Sequence, residues 1–193
     1  MKKIINFIIL LLVTNFISCT SNYSIDQTIT EADLLGLWEV SELYTENGTT
    51  GIYFNDQSIS GAYSAVGSDF DMTALFEENP NNFYTSGNFT FNGTISFLNE
   101  QFTTQQVVDA IPSFISPASW LLQDNSITLS NADETILSSI IYYNNDTLRL
   151  KSAINENILD QLDATQLQQL NSVLNLSIDS LTVNTDVYIT LTK

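Results

Sequence analysis

The residues able to do chemistry are few and of one kind. The 193-residue chain has no histidine and one cysteine, Cys19, against 22 Asp and Glu. Without histidine, the usual proton acceptor for a Ser or Cys nucleophile and the commonest zinc ligand are both missing. Two carboxylates could still share acid and base work, but the acids are scattered without a motif. No catalytic residue is assigned and the expectation is a protein that is not an enzyme. The densest oxygen-rich stretch is Gly67-Ser-Asp69-Phe-Asp71-Met-Thr73, followed by Glu77 and Glu78. A twelve-residue calcium loop needs Gly at position 6 and Glu at position 12, and this stretch has neither. It reads as a solvated acidic loop, with no metal site and no cofactor expected.

Cys19 is better explained by what precedes it. Met1-Lys2-Lys3 is a short positive start, and Ile4 to Ile17 is an apolar run broken by Asn6, Thr14 and Asn15. That run is too short to cross a hydrocarbon core, which takes about 20 apolar residues. A positive start, a short apolar stretch and a small residue before the cut describe a secretory signal. Phe16-Ile17-Ser18-Cys19 resembles the lipobox of bacterial lipoproteins, in which cleavage precedes the cysteine and lipid is attached to its sulfur. That resemblance implies a signal peptide over 1–18, a lipidated Cys19 and a polar tether over 19–29. It implies anchorage to the outer membrane of a Gram-negative envelope.

Loss of Lys2 and Lys3 would leave three basic groups against 22 acids, a formal charge of −19. Such a field repels phosphate backbones, so nucleic acid is excluded as a partner. Membrane contact must come from the lipid instead. The remaining length suits one domain, residues 30–193, which buries enough surface to need no disulfide. It is expected to be a monomer.

Within that domain Thr30-Glu31-Ala32-Asp33 looks like a capped helical start, and from Leu37 the pattern is β. Leu181, Val183, Thr185, Val187, Ile189 and Leu191 alternate with Thr182, Asn184, Asp186, Tyr188, Thr190 and Thr192. This period of two marks a half-buried strand. Hairpins are expected at Asn47-Gly48, Asn92-Gly93, Gln123-Asp124-Asn125 and Asn144-Asn145-Asp146. At Asn92-Gly93 a three-residue loop with a bulge is expected, to keep the flanking phenylalanines on one face. Apolar residues three and four apart from Ile154 to Leu176 predict one broken helix or two short ones, with a fresh cap at Asp163-Ala-Thr-Gln166. Thr103 to Ser119, with two prolines, reads as a short helix or loop over one end of the sheet. About eight antiparallel strands suggest a barrel or sandwich.

Gly36-Leu37-Trp38, at the start of the first strand after a short helix, resembles the Gly-x-Trp signature of lipocalins. More specifically the chain is similar to lipocalin-like domains of bacterial outer-membrane lipoproteins. The pieces that carry the likeness are LLGLWEVSEL, ALFEENPNNFYTSGNFTF, SWLLQDNSITL, and NNDTLRL paired with VYITLTK. The resemblance implies an all-β, up-and-down antiparallel barrel of about eight strands, with Gly36 and Trp38 plugging its closed end. Lipocalins set an arginine from the last strand against that Trp. Here that strand ends on Lys193, and the sole arginine is Arg149. Phe54, Phe76, Phe83, Phe89, Phe91, Phe97 and Trp120 are candidates to line an apolar pocket. The functional expectation is non-catalytic binding of a small apolar or amphipathic ligand inside the barrel. The alternative is an envelope accessory or interaction module with a filled interior.

Overall fold

The computed structural model describes residues 28–97, 100–112, 114–175 and 177–193. The expected signal peptide, Cys19 and most of the tether lie outside the described residues. A four-residue helix α1 (Glu31–Leu34) opens the fold. Its entry is fixed by Asp33, whose carboxylate accepts from the Thr30 N–H at 2.8 Å and the Thr30 hydroxyl at 2.7 Å. These bonds favour the charged form and hold the Asp33 carboxyl below its usual range.

Nine strands follow: β1 (Gly36–Phe54), β2 (Gln57–Phe76), β3 (Asn82–Phe97), β4 (Glu100–Val108), β5 (Ala118–Gln123), β6 (Ser126–Ser130), β7 (Thr135–Asn144), β8 (Thr147–Asn157) and β9 (Ser180–Thr192). Between β8 and β9 lie a 3₁₀ turn, Leu159–Gln161, and helix α2 (Ala164–Leu174). All strand pairings are antiparallel. Eight strands link in a ring, in the order β1, β2, β3, β5, β6, β7, β8, β9, with β9 returning to β1. β4 stands outside the ring and pairs with β3 alone.

The ring is not uniform along its axis. β3 meets β5 only through Asn82↔Ser119 and Phe83↔Ala118, and from Phe89 onward the same edge of β3 carries β4. β8 pairs with β7 only from Thr147 to Lys151, whereas its partner β9 runs alongside to Asn157. One half is therefore closed all round. The other half is a curved sheet with free edges on β4 and on the far end of β8.

Two expected hairpins are not turns. β1 runs straight through Asn47-Gly48, where Tyr44↔Val66 and Gly48↔Tyr63 leave one extra residue on β1. Asn47 takes a left-handed φ of 55° there, so its turn propensity makes a bulge. The chain reverses instead at Asn55-Asp56, with φ of 46° and 62° and Phe54 paired to Gln57, the backbone a two-residue hairpin needs. β3 likewise passes through Asn92-Gly93 with no loop or bulge. Phe89, Phe91, Gly93, Ile95 and Phe97 share one parity in an unbroken strand, which already keeps them on one face.

Three further expectations change. Thr103–Val108 belongs to β4, and only the loop beyond it, with buried Ile111, Phe114 and Ile115, lies over the core. Ile154–Asn157 belongs to β8, so the helical segment starts at the 3₁₀ turn. The cap at Asp163 forms as expected, its carboxylate accepting from Gln166 N–H at 2.8 Å and Gln166 Oε1 accepting from Asp163 N–H at 2.9 Å. The acidic stretch Gly67–Thr73 is strand, not loop, bulged between Ser68 and Asp71 with Asp69 at φ 52°.

Gly87 sits opposite that bulge with φ +101°, and a Cβ there would overlap the Asp71 carbonyl. Gly36, at φ +106°, has open space around it. Gly87→Ala should therefore lower the unfolding free energy by about 2 kcal/mol or more, and Gly36→Ala by only about 1 kcal/mol. Denaturant midpoints of the two variants check the difference; equal losses would deny the clash.

Candidate functional site

Two buried clusters divide the interior. At the α1 end Trp38, Phe76, Phe83, Phe89 and Trp120 pack together with aliphatic residues of β6, β8 and β9. Phe76 lies 4.8 Å from Phe83 and meets Trp120 edge-on at 5.6 Å. At the other end Ile52, Phe54, Ile95, Phe97, Phe102 and Leu170 form a second cluster under α2.

Trp38 is wholly buried, and its indole N–H donates to the Leu34 carbonyl at 2.7 Å. This bond satisfies a carbonyl left over at the end of α1. The Lys193 ammonium stands 4.3 Å from the Trp38 ring centroid and donates to the Asp33 carbonyl at 3.1 Å. A cation from the end of the last strand thus faces the tryptophan. Arg149 is elsewhere, on the outer face, donating to Thr190 Oγ1 at 3.2 Å and pairing with Glu42 at 3.4 Å.

Between the clusters lies a cavity of about 370 Å³, within the size range of small-molecule sites. Its back wall is the inner face of β1, β2, β3 and β9, including Leu43, Tyr63, Phe91, Val183 and Val187. One flank is β4 with the loop after it, through Val108, Asp109 and Pro112; the other is Ile154 and Glu156 of β8 with Ile158, Leu162 and Gln166. Those flanks carry the two free strand edges, so the cavity opens where the ring is incomplete.

Of the expected lining residues Phe91 stands on this wall. Phe76, Phe83, Phe89 and Trp120 pack in the first cluster, and Phe54 and Phe97 in the second, away from the wall. Residues not foreseen, Leu43, Tyr63, Ile154 and the β9 face, make up much of it. The β9 alternation held the clue, because its inward set includes Val183, Thr185 and Val187, all of which line the wall.

The polar groups on the wall differ in their freedom. Thr45 Oγ1 accepts from Ala65 N–H at 2.8 Å, and Thr185 Oγ1 donates to the Glu46 carbonyl at 3.1 Å, so both hold the β1 bulge. The Tyr63 hydroxyl has no protein partner among the described residues. Burial penalises its phenolate and pushes its pKa up to about 12. It stays a neutral donor and acceptor facing the cavity. Among the described residues no group of three or more His, Cys, Asp or Glu could hold a metal ion.

Family models give no match to this chain, and neither do the curated proteins.

Removing the indole N–H while keeping bulk should leave the Leu34 carbonyl unpaired. Trp38→Phe is expected to cost about 1–3 kcal/mol more than a packing loss alone, and Lys193→Met about 1 kcal/mol or less, both read by thermal or chemical unfolding. The folded Tyr63 pKa exceeds the unfolded value near 10, so the native state holds that proton more tightly. The Tyr63 contribution to stability should be level from neutral pH to about 10 and be lost as pH rises from 10 through 12, by about 2–3 kcal/mol. Tyr63→Phe should shrink that alkaline fall, and an unchanged profile would refute the assignment.

Proposed function

We propose that this protein is a lipid-anchored envelope lipoprotein whose domain, residues 30–193, is a lipocalin-like β-barrel that binds a small apolar or amphipathic molecule without catalysis. The observation that carries the reading is the 370 Å³ cavity left between two tightly packed clusters. Its walls are mainly apolar, interspersed with hydroxyl, amide and carboxylate groups such as Tyr63, Gln106 and Glu156, the pattern of ligand sites rather than of a packing flaw. The closed end adds support. Trp38 is capped by α1 and faced by the cation of Lys193, in the role that lipocalins give to an arginine. For the anchor the support is sequence alone, Phe16-Ile17-Ser18-Cys19 after a short apolar run. Acyl chains on Cys19 would hold a monomer to the outer membrane of a Gram-negative cell, a task that this acidic surface cannot perform.

Native mass spectrometry of the protein from its own envelope, in mild detergent, tests both halves. A covalent increment at Cys19 and a discrete non-covalent mass on the folded domain are the expected results. A bare domain, or one carrying another protein, would favour an interaction module in place of a binding barrel. Cys19→Ser should move the protein out of the membrane fraction; retention there would overturn the anchor.

A further inference from the structure

The charged groups around the cavity are all of one sign. Asp109, just past β4, and Glu156, near the end of β8, both contribute to its wall, and both are exposed. They stand on opposite flanks of the opening. Among the described residues no lysine or arginine lines the cavity. The three cations among the described residues are each engaged elsewhere: Arg149 with Glu42, Lys151 with Asp186 at 3.0 Å, and Lys193 at the Trp38 ring. The deeper wall, Leu43, Phe91, Val183 and Val187, offers apolar surface, with the unpartnered Tyr63 hydroxyl among it. A polar head at the opening would therefore meet carboxylates, and its tail would meet hydrocarbon.

We propose that the cavity selects its ligand by head-group charge, taking a single-chain amphiphile with an ammonium head between Asp109 and Glu156 and rejecting the carboxylate-headed counterpart. This rests on the binding function proposed above and adds the class of ligand. The physical ground is direct. A carboxylate head would bring a third negative charge to a rim with no cation to offset it, inside a chain of formal charge −17. An ammonium head gains from both rim carboxylates, and effective dielectric near the surface leaves each pair worth enough to alter affinity severalfold. The Tyr63 hydroxyl, deeper in the wall, is neutral and does not reverse the order.

The test uses decylamine, decanol and decanoate, which share one chain and differ in head charge. Each is titrated by calorimetry into the full chain carrying Cys19→Ser, so that no acyl group competes, at about 0.15 M salt. Butylamine, with the charge but little chain, reports attraction to the acidic surface alone. Decylamine is expected to bind about tenfold or more tighter than decanoate, with decanol between them and butylamine too weak to measure. Asp109→Asn with Glu156→Gln should bring decylamine and decanoate within about threefold of each other; both positions are exposed, so folding is preserved. If the three decyl compounds bind alike, or decanoate binds tightest, charge selection is overturned while the binding function stands. Discrimination that survives the double substitution, or butylamine matching decylamine, overturns the assignment to this rim. If none of them binds, decanol included, the binding function itself fails.

Discussion

The fold depends on keeping one face turned inward along strands that are unusually long. β1 and β2 run for 19 and 20 residues, where strands of about five or six are ordinary. A strand of that length in a strongly curved sheet cannot hold strict alternation throughout. β1 resolves this with two irregularities, one between Val40 and Glu42 and one between Glu46 and Thr49. Each changes the parity of the inward set, from Trp38 and Val40 to Leu43, then to Thr50, Ile52 and Phe54. Without those steps the second half of β1 would turn its apolar side chains to water. The part-buried hydroxyl bonds of Thr45 and Thr185 secure the second step. Wall, core and closed end all inherit their orientation from these local bends.

Much of this was legible from the residues. The alternation of β9, the short helix before Gly36, the cap at Asp163, and the turns at Asp124-Asn125 and Asn145-Asp146 were all visible as local patterns. The misreadings share a cause. Asn-Gly can serve a turn or a bulge, and the choice is made by pairing with distant strands. At Asn47 the partners are Val66, Tyr63 and residues of β9 well over a hundred positions away. Nothing within ten residues of Asn47 reports them. Thr103–Val108 shows few apolar residues because it is an added strand outside the ring, with Phe102 as its one fully buried side chain. The aromatic residues expected to line a pocket lie in the interior, most of them in the two clusters, and the sequence does not say at which height along the axis a side chain falls. Height separates Phe91, on the cavity wall, from Phe89 and Phe97, which fill the clusters above and below it.

The acidity of the chain acquires a sharper meaning beside the geometry. The cations are tied to the outer face and to the closed end, which leaves the cavity with hydrocarbon, hydroxyls and carboxylates. The acidic character of the chain extends to the opening, where Asp109 and Glu156 contribute to the wall.

The place of β9 has a consequence for how the molecule is made. Its hydrogen-bonding partners, β1 and β8, are separated by nearly a hundred residues of intervening chain. During synthesis β1 can pair with β2 as soon as the hairpin at Asn55-Asp56 has emerged, but its opposite edge stays bare until β9 appears. For that interval a long edge, from Glu39 to Tyr53, offers unpaired amides to any neighbouring strand, the situation in which nascent β-proteins aggregate. Slow acquisition of the native state is the expected consequence of that strand order.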